Sequence, residues 1–126
     1  MNSTEFNIED SPEAAFQFMI DHGWSDGLPV IPPTAERVRA MLDYAQRDAS
    51  ELVGYINPDA GSATVEKIAV NAVMAGCLPE YMPVLITAVQ AITEPSFNIH
   101  GLQTTTNPVS PLLIINGPVR EQIGLN

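Results

Sequence analysis

Four stretches of the chain repeat apolar residues at helical spacing. In the first, Ala15, Phe16, Met19 and Ile20 follow Ser11 as N-cap, Pro12 at the first helical position and Glu13 in the first turn, which predicts a helix over 12–22. Thr34 opens the second, where Val38, Met41, Leu42 and Ala45 recur at i, i+3, i+4 and i+7 opposite a charged face, giving a surface helix over 34–46. The third, over 64–75, buries Val65, Ile68, Ala69, Ala72 and Val73 on one side, and Gly76 ends it with a residue able to take positive φ. The fourth, over 81–93, has a core stripe of Leu85, Ala88, Val89 and Ile92. Only a thin polar line of Thr87, Gln90 and Glu94 opposes it, so this helix is expected to be mostly buried.

Between these helices the periodicity changes. Residues 28–31 sit among prolines and predict a short edge strand or an extended segment laid over the core. Residues 52–56, LVGYI, read as a strand closed by turn chemistry at Asn57-Pro58-Asp59-Ala60-Gly61. The wholly apolar run within 111–116 reads as a strand buried on both faces. Residues 1–10 are polar and aperiodic, the pattern of a flexible arm, and 95–111 reads as a long loop. The expected fold is α/β or α+β: a single domain over 11–126 with four main helices on a small sheet of short strands. The strand at 111–116, its turn and the opening VREQIG helix resemble the start of a βα unit. Either the last helix is short and capped by Gly124, or the chain is the N-terminal piece of a longer fold.

A length of 126 residues, 45% of them hydrophobic, suits one domain that buries roughly two thirds of its unfolded surface. Fifteen acidic against five basic residues give a formal charge of −10, which disfavours nucleic acid and anionic membrane as partners. The charge is uneven: residues 1–62 hold 11 acids and 3 bases, residues 63–126 hold 4 acids and 2 bases. The second half is therefore the more buried half or the half that meets a partner. One cysteine excludes an intramolecular disulfide, and no signal peptide or apolar span near 20 residues is evident, so a cytoplasmic setting is expected.

Candidate chemistry gathers around the third helix. Glu66, Lys67 and Asn71 share one arc of it, roughly 140° wide at about 100° per residue. Proton transfer calls for an acid or base in apolar surroundings, which makes Glu66 and Lys67 candidate catalytic groups; the plain alternative is the wet edge of a half-buried helix. Cys77, the sole thiol, is either a nucleophile or a small buried hydrophobe. Asn71 and Glu80 are candidate ligand-binding groups beside it. His100, Gln103 and Thr105 belong to a loop rich in amides and hydroxyls suited to a small polar ligand, with Asn116 at the following turn. Trp24 beside His22 and Asp26 reads as a packed anchor or as a pocket wall. His22, His100, Cys77 and Asp26 share no metal-ligand spacing, and GxGxxG, P-loop and GxSxG motifs are absent, so no metal is expected and no cofactor is indicated.

Three segments, DGLPVIPPT at 26–34, VEKIAVNAVMAGCLPEYMPV at 65–84 and LIINGPVREQIGLN at 113–126, together resemble the N-terminal part of an uncharacterised family of larger bacterial proteins. In that family the chain runs past the position of Asn126 into a Gly-, Asn- and Arg-rich continuation. The resemblance covers most of the chain. It implies a shared architecture and brings no established activity.

Two function classes follow. One is an enzyme or enzyme fragment that binds a small polar molecule between the 64–75 helix and the 95–111 loop. The other is a non-catalytic oligomerisation or interaction module, completed by a second copy, a partner chain or the chain's own continuation. The direction in which Glu66 and Lys67 point discriminates them: a closed pocket shared with His100 favours the enzyme, a flat exposed face the module.

Overall fold

The computed structural model describes residues 3–125 and is an α+β single domain, with six α-helices and one two-stranded antiparallel sheet among the described residues. The helices are α1 (Pro12–Asp21), α2 (Ala35–Ala45), α3 (Val65–Met74), α4 (Met82–Thr93), α5 (Ile99–Thr104) and α6 (Pro118–Gln122). The strands are β1 (Leu52–Ile56) and β2 (Gly61–Thr64). Met1, Asn2 and Asn126, which the expected arm over 1–10 and the domain over 11–126 include, lie outside the described residues.

Each of the first three helices begins where a hydroxyl can replace a missing intrahelical acceptor. Ser11 Oγ accepts from the Ala14 amide at 3.1 Å, Thr34 Oγ1 from Arg37 at 3.4 Å, and Thr64 Oγ1 from Lys67 at 3.3 Å. α3 ends in paired reverse bonds: Gly76, at φ +76°, donates to Val73 O, and Cys77 donates to Ala72 O.

The core forms where α2 packs on α3 and α3 on α4. Val38 and Met41 of α2, the predicted Val65/Ile68/Ala69/Ala72/Val73 stripe of α3, and Met82 and Ile86 of α4 make one buried cluster. In α4 the deepest side chains are thus Met82 and Ile86, one ridge beside the expected 85/88/89/92 stripe. The first turn of α4 enters between α2 and α3, while Leu85 and Val89 lie at the edge of the cluster. The β hairpin leans on α4 through β1 and runs directly into α3 through β2.

Two expected strands form no ladder among the described residues. Around Val30-Ile31 the prolines keep the chain out of a sheet, and Ile31 donates its amide to Met74 O at 3.1 Å, which ties the segment over the end of α3. The 111–116 stretch has no regular secondary structure and is exposed, with Leu112 83% and Ile114 77% accessible, in place of the expected strand buried on both faces. No strand of the two-stranded sheet lies beside it, so its apolar run has nothing to be buried between. Conversely, the irregular loop expected over 95–111 contains a 3₁₀ turn at Pro95–Phe97 and helix α5, whose start is capped by Asn98 Oδ1 accepting from Gly101 N at 3.2 Å.

Gly54 marks the closest approach of hairpin and helix. A Cβ there would collide with the Thr93 side chain, whose hydroxyl donates to Val89 O at 2.8 Å and so resists moving aside. Gly54→Ala is therefore expected to destabilise the fold by about 1–3 kcal/mol in urea unfolding. A companion Gly54→Ala/Thr93→Gly double variant, which removes every Thr93 atom near the added methyl, should cost less than the two single substitutions added together, and a double variant whose losses simply add would remove Thr93 as the cause.

Candidate functional site

Glu66 is the buried charged side chain of the described core, 4% exposed at the second position of α3. The start of α3 is fixed by the 46–51 loop. Glu66 N donates to Ala49 O at 2.9 Å and Val65 N to Glu51 O at 3.0 Å, so two first-turn amides without intrahelical acceptors are satisfied. The loop is braced by its own side chains: Arg47 pairs with Glu51, its Nε donating at 2.8 Å, and the Asp48 carboxylate accepts from the Ser50 amide at 2.7 Å. These bonds hold the carboxyls of Glu51 and Asp48 below their ordinary range, Glu51 through the hydrogen bond from Arg47 and Asp48 through those from Ser50. Glu66 itself is the acidic residue of the first turn of α3.

The carboxylate opens toward the N-terminal arm. Ser3 N donates to Glu66 Oε1 at 2.9 Å, joining residues 63 positions apart. Beyond Ser3 the arm crosses a cleft of about 780 Å³ between α1 and the α2–α3 layer. One ridge of α3, Glu66, Val70 and Met74 at i, i+4 and i+8, forms its floor together with Asn71. Pro32, Pro33 and Val38 close one side.

The other side is aromatic. Phe6 of the arm meets Phe18 at 5.3 Å and Trp24 at 5.8 Å between ring centroids, and Phe18 stacks on His22 at 4.0 Å. Spacing of i, i+4 on α1 brings Phe18 and His22 together, and His22 Nδ1 lies 2.8 Å from Phe18 O. Trp24 lines the cleft while remaining 46% exposed, so it forms a pocket wall. Glu5 and Glu66 give the lining two carboxylates, and no lysine or arginine is among its described residues.

The remaining candidates are dispersed. Lys67, next to Glu66, points out of the cleft: its Nζ donates to Ser62 O at 3.0 Å and to Ser62 Oγ at 2.8 Å, on the exposed hairpin end. Asn71, which lines the cleft, donates from Nδ2 to Lys67 O at 2.8 Å. Cys77 lies past the far end of α3, half-buried against the core, and Glu80 follows in the 3₁₀ turn Pro79–Tyr81. His100 and Gln103 are exposed on α5, Thr105 follows it and accepts from Asn107 N at 3.2 Å, and Asn116 is exposed before the turn into α6. None of these four lines the cleft beside Glu66. The cover expected from 95–111 comes instead from 3–8.

Sequence reasoning missed Phe6, Phe18 and the arm as parts of the site. The Phe18/His22 spacing was a signal in plain view; the destination of the arm had none. Among the described residues no three His, Cys, Asp or Glu side chains converge as metal ligands, and no helix is long and apolar enough to cross a membrane. Comparison with protein-family models, curated proteins and solved structures returns no match to this chain.

Two outcomes are expected. Glu66→Ala removes the buried carboxylate that accepts from the Ser3 amide and should cost about 1–3 kcal/mol in urea unfolding, whereas Lys67→Met, on an exposed contact, should stay within about 0.5 kcal/mol. Equal losses would show that the two side chains are not differently placed. The second concerns pH. Glu51 has a folded pKa below its ordinary 4.5, so its pairing with Arg47 stabilises above that value and fades as pH falls through the folded pKa. Arg47→Gln should accordingly flatten the loss of stability below pH 4.5, read by denaturant midpoint at low salt; an unchanged acid limb would exclude the pair as a contributor.

Proposed function

We propose that the chain binds a small molecule in the cleft between the N-terminal arm and α3, and that its ligand is neutral or cationic, with an apolar or aromatic body and an N–H or O–H donor. The observation that carries this reading is the buried Glu66 carboxylate on the floor of a mainly apolar cleft. Ligand sites commonly combine apolar walls with a few convergent polar groups in roughly 300–1,000 Å³. The charge of the lining selects the ligand class. Two carboxylates without a basic side chain repel phosphates and carboxylates and attract amines, and the ring faces of Phe6, Phe18 and Trp24 suit a cation or a flat apolar body. The Ser3 amide already donates to Glu66 from the cleft side, and a ligand donor would take over or join that role.

Binding, rather than proton exchange between paired side chains, is the chemistry supported. Lys67 is turned to Ser62, and Cys77 is separated from Glu66 by most of the length of α3, roughly 15 Å at 1.5 Å per residue.

The test is a thermal-shift screen with aromatic and alicyclic primary amines and their matched carboxylic acids. Amines should raise the melting temperature and acids should not, a ligand at a hundred times its Kd contributing about 2.7 kcal/mol. Glu66→Gln should lose the amine response and Lys67→Met keep it. Acids that stabilise as well as amines, or a Glu66→Gln protein that responds like the wild type, would overturn the assignment.

A further inference from the structure

The arm that roofs the cleft is lightly anchored. Residues 3–10 are all exposed, and among the described residues 4–8 make no hydrogen bond. The arm is held at its head by the Ser3 amide on Glu66 Oε1. In its middle Phe6 stays 49% exposed while meeting Phe18, His22 and Trp24 at 5.3, 5.7 and 5.8 Å between ring centroids. The root is fixed: Ser11 N donates to Glu9 O at 2.9 Å, and Ser11 Oγ caps α1. A segment with a fixed root, an exposed backbone and few buried contacts opens locally at well below the cost of global unfolding.

The cavity decides what such opening does. About 780 Å³ stays open between the arm and the body, so the arm roofs the space and does not fill it. The floor of Glu66, Val70 and Met74 belongs to α3, whose other side is packed into the core. A molecule lying between Phe6 and that floor gains contacts with the arm only while the arm is closed. A ligand shifts an equilibrium by its differential affinity for the two states, so a ligand under the roof favours closure, whereas one that takes the arm's place favours opening.

We infer that residues 3–8 form a strap that lifts from its root near Glu9 to admit the ligand of the cleft and closes over it, with Phe6 as the latch on Phe18 and Trp24. The inference rests on the cleft being the binding site and adds how that site is entered and sealed. Lifting takes Phe6 off the aromatic wall and Ser3 off Glu66, and the ligand's own contacts draw the arm back.

Cleavage after Glu5 by a glutamate-specific endoprotease, followed by mass spectrometry on the full chain, measures the lifted population when lifting is fast relative to cutting. Phe18→Ala leaves the cleavage site intact and removes a seat of the latch, so it should be cut about two- to tenfold faster than the wild type. Gly54→Ala, which weakens the fold away from the arm, should leave the rate unchanged. 2-Phenylethylamine at about ten times its Kd should slow cleavage of the wild type about three- to tenfold. Gly54→Ala cut as fast as Phe18→Ala would make the opening global, and Phe18→Ala cut no faster than the wild type would remove the latch; either overturns the strap. An amine that raises the melting temperature yet speeds cleavage, or leaves it unchanged, overturns it too. If no amine raises the melting temperature, the binding reading fails instead, and the ligand-free comparison of the two variants alone decides the strap.

Discussion

A ten-residue helix with apolar side chains on most of its sides has to be covered everywhere but along the exposed line of Lys67 and Asn71, and this requirement on α3 organises the domain. One side is met by α2 and α4, whose Val38, Met41, Met82 and Ile86 close over Val65, Ile68, Ala69, Ala72 and Val73. The other side carries Glu66 among Val70 and Met74, and a carboxylate cannot be enclosed by hydrocarbon without donors. The cover on that side is therefore a backbone segment, which brings N–H groups with it: the arm at Ser3 supplies one. An extended arm covers less tightly than a packed helix, and the cleft is the space left between them. The site and the core are two answers to the same constraint.

Where elements depend on neighbours in sequence, they were legible. The first three helices follow from period and caps, since Ser11, Thr34 and Thr64 act within three residues of themselves, and α4, which has no side-chain cap, follows from period alone. The β1 strand is legible for the same reason, its turn residues being adjacent. What failed depended on tertiary partners. The run from Leu112 to Ile115 has one composition whether it is enclosed in a sheet or exposed, so apolarity could not separate the two. Helix α5 was hidden by Gly101 and the threonines, and its start relies on Asn98 in a left-handed conformation, which only the cap geometry reveals. The arm's meeting with Glu66 spans 63 positions and leaves no local mark.

The same distinction explains which candidate residues came together. Glu66, Asn71 and Trp24 line one cleft because α3 and the turn after α1 face each other across it. His100, Gln103 and Thr105 were grouped with Glu66 on composition, since loops rich in amides and hydroxyls often bind ligands. Composition assigns a tendency and no position, and here those residues are on or just after a short helix that does not reach the cleft.

Glu66 and Lys67 show how a single step along a helix becomes a difference in chemistry. Consecutive helical residues diverge by about 100°. An arc wide enough to include both can therefore straddle the boundary between an enclosed face and an open one. The arm sets that boundary between them. Glu66 falls inside, in the first turn of the helix, where the Ser3 amide donates to its carboxyl group. Lys67 falls outside, where its ammonium reaches the Ser62 carbonyl and hydroxyl. An acid and a base acting on one substrate must share a solvent-protected space, and this pair is divided by the wall of it. A buried carboxylate whose neighbouring base is turned away is suited to fix the orientation of a donor, as it does that of the Ser3 amide, and this division of Glu66 from Lys67 is what the recognition reading rests on.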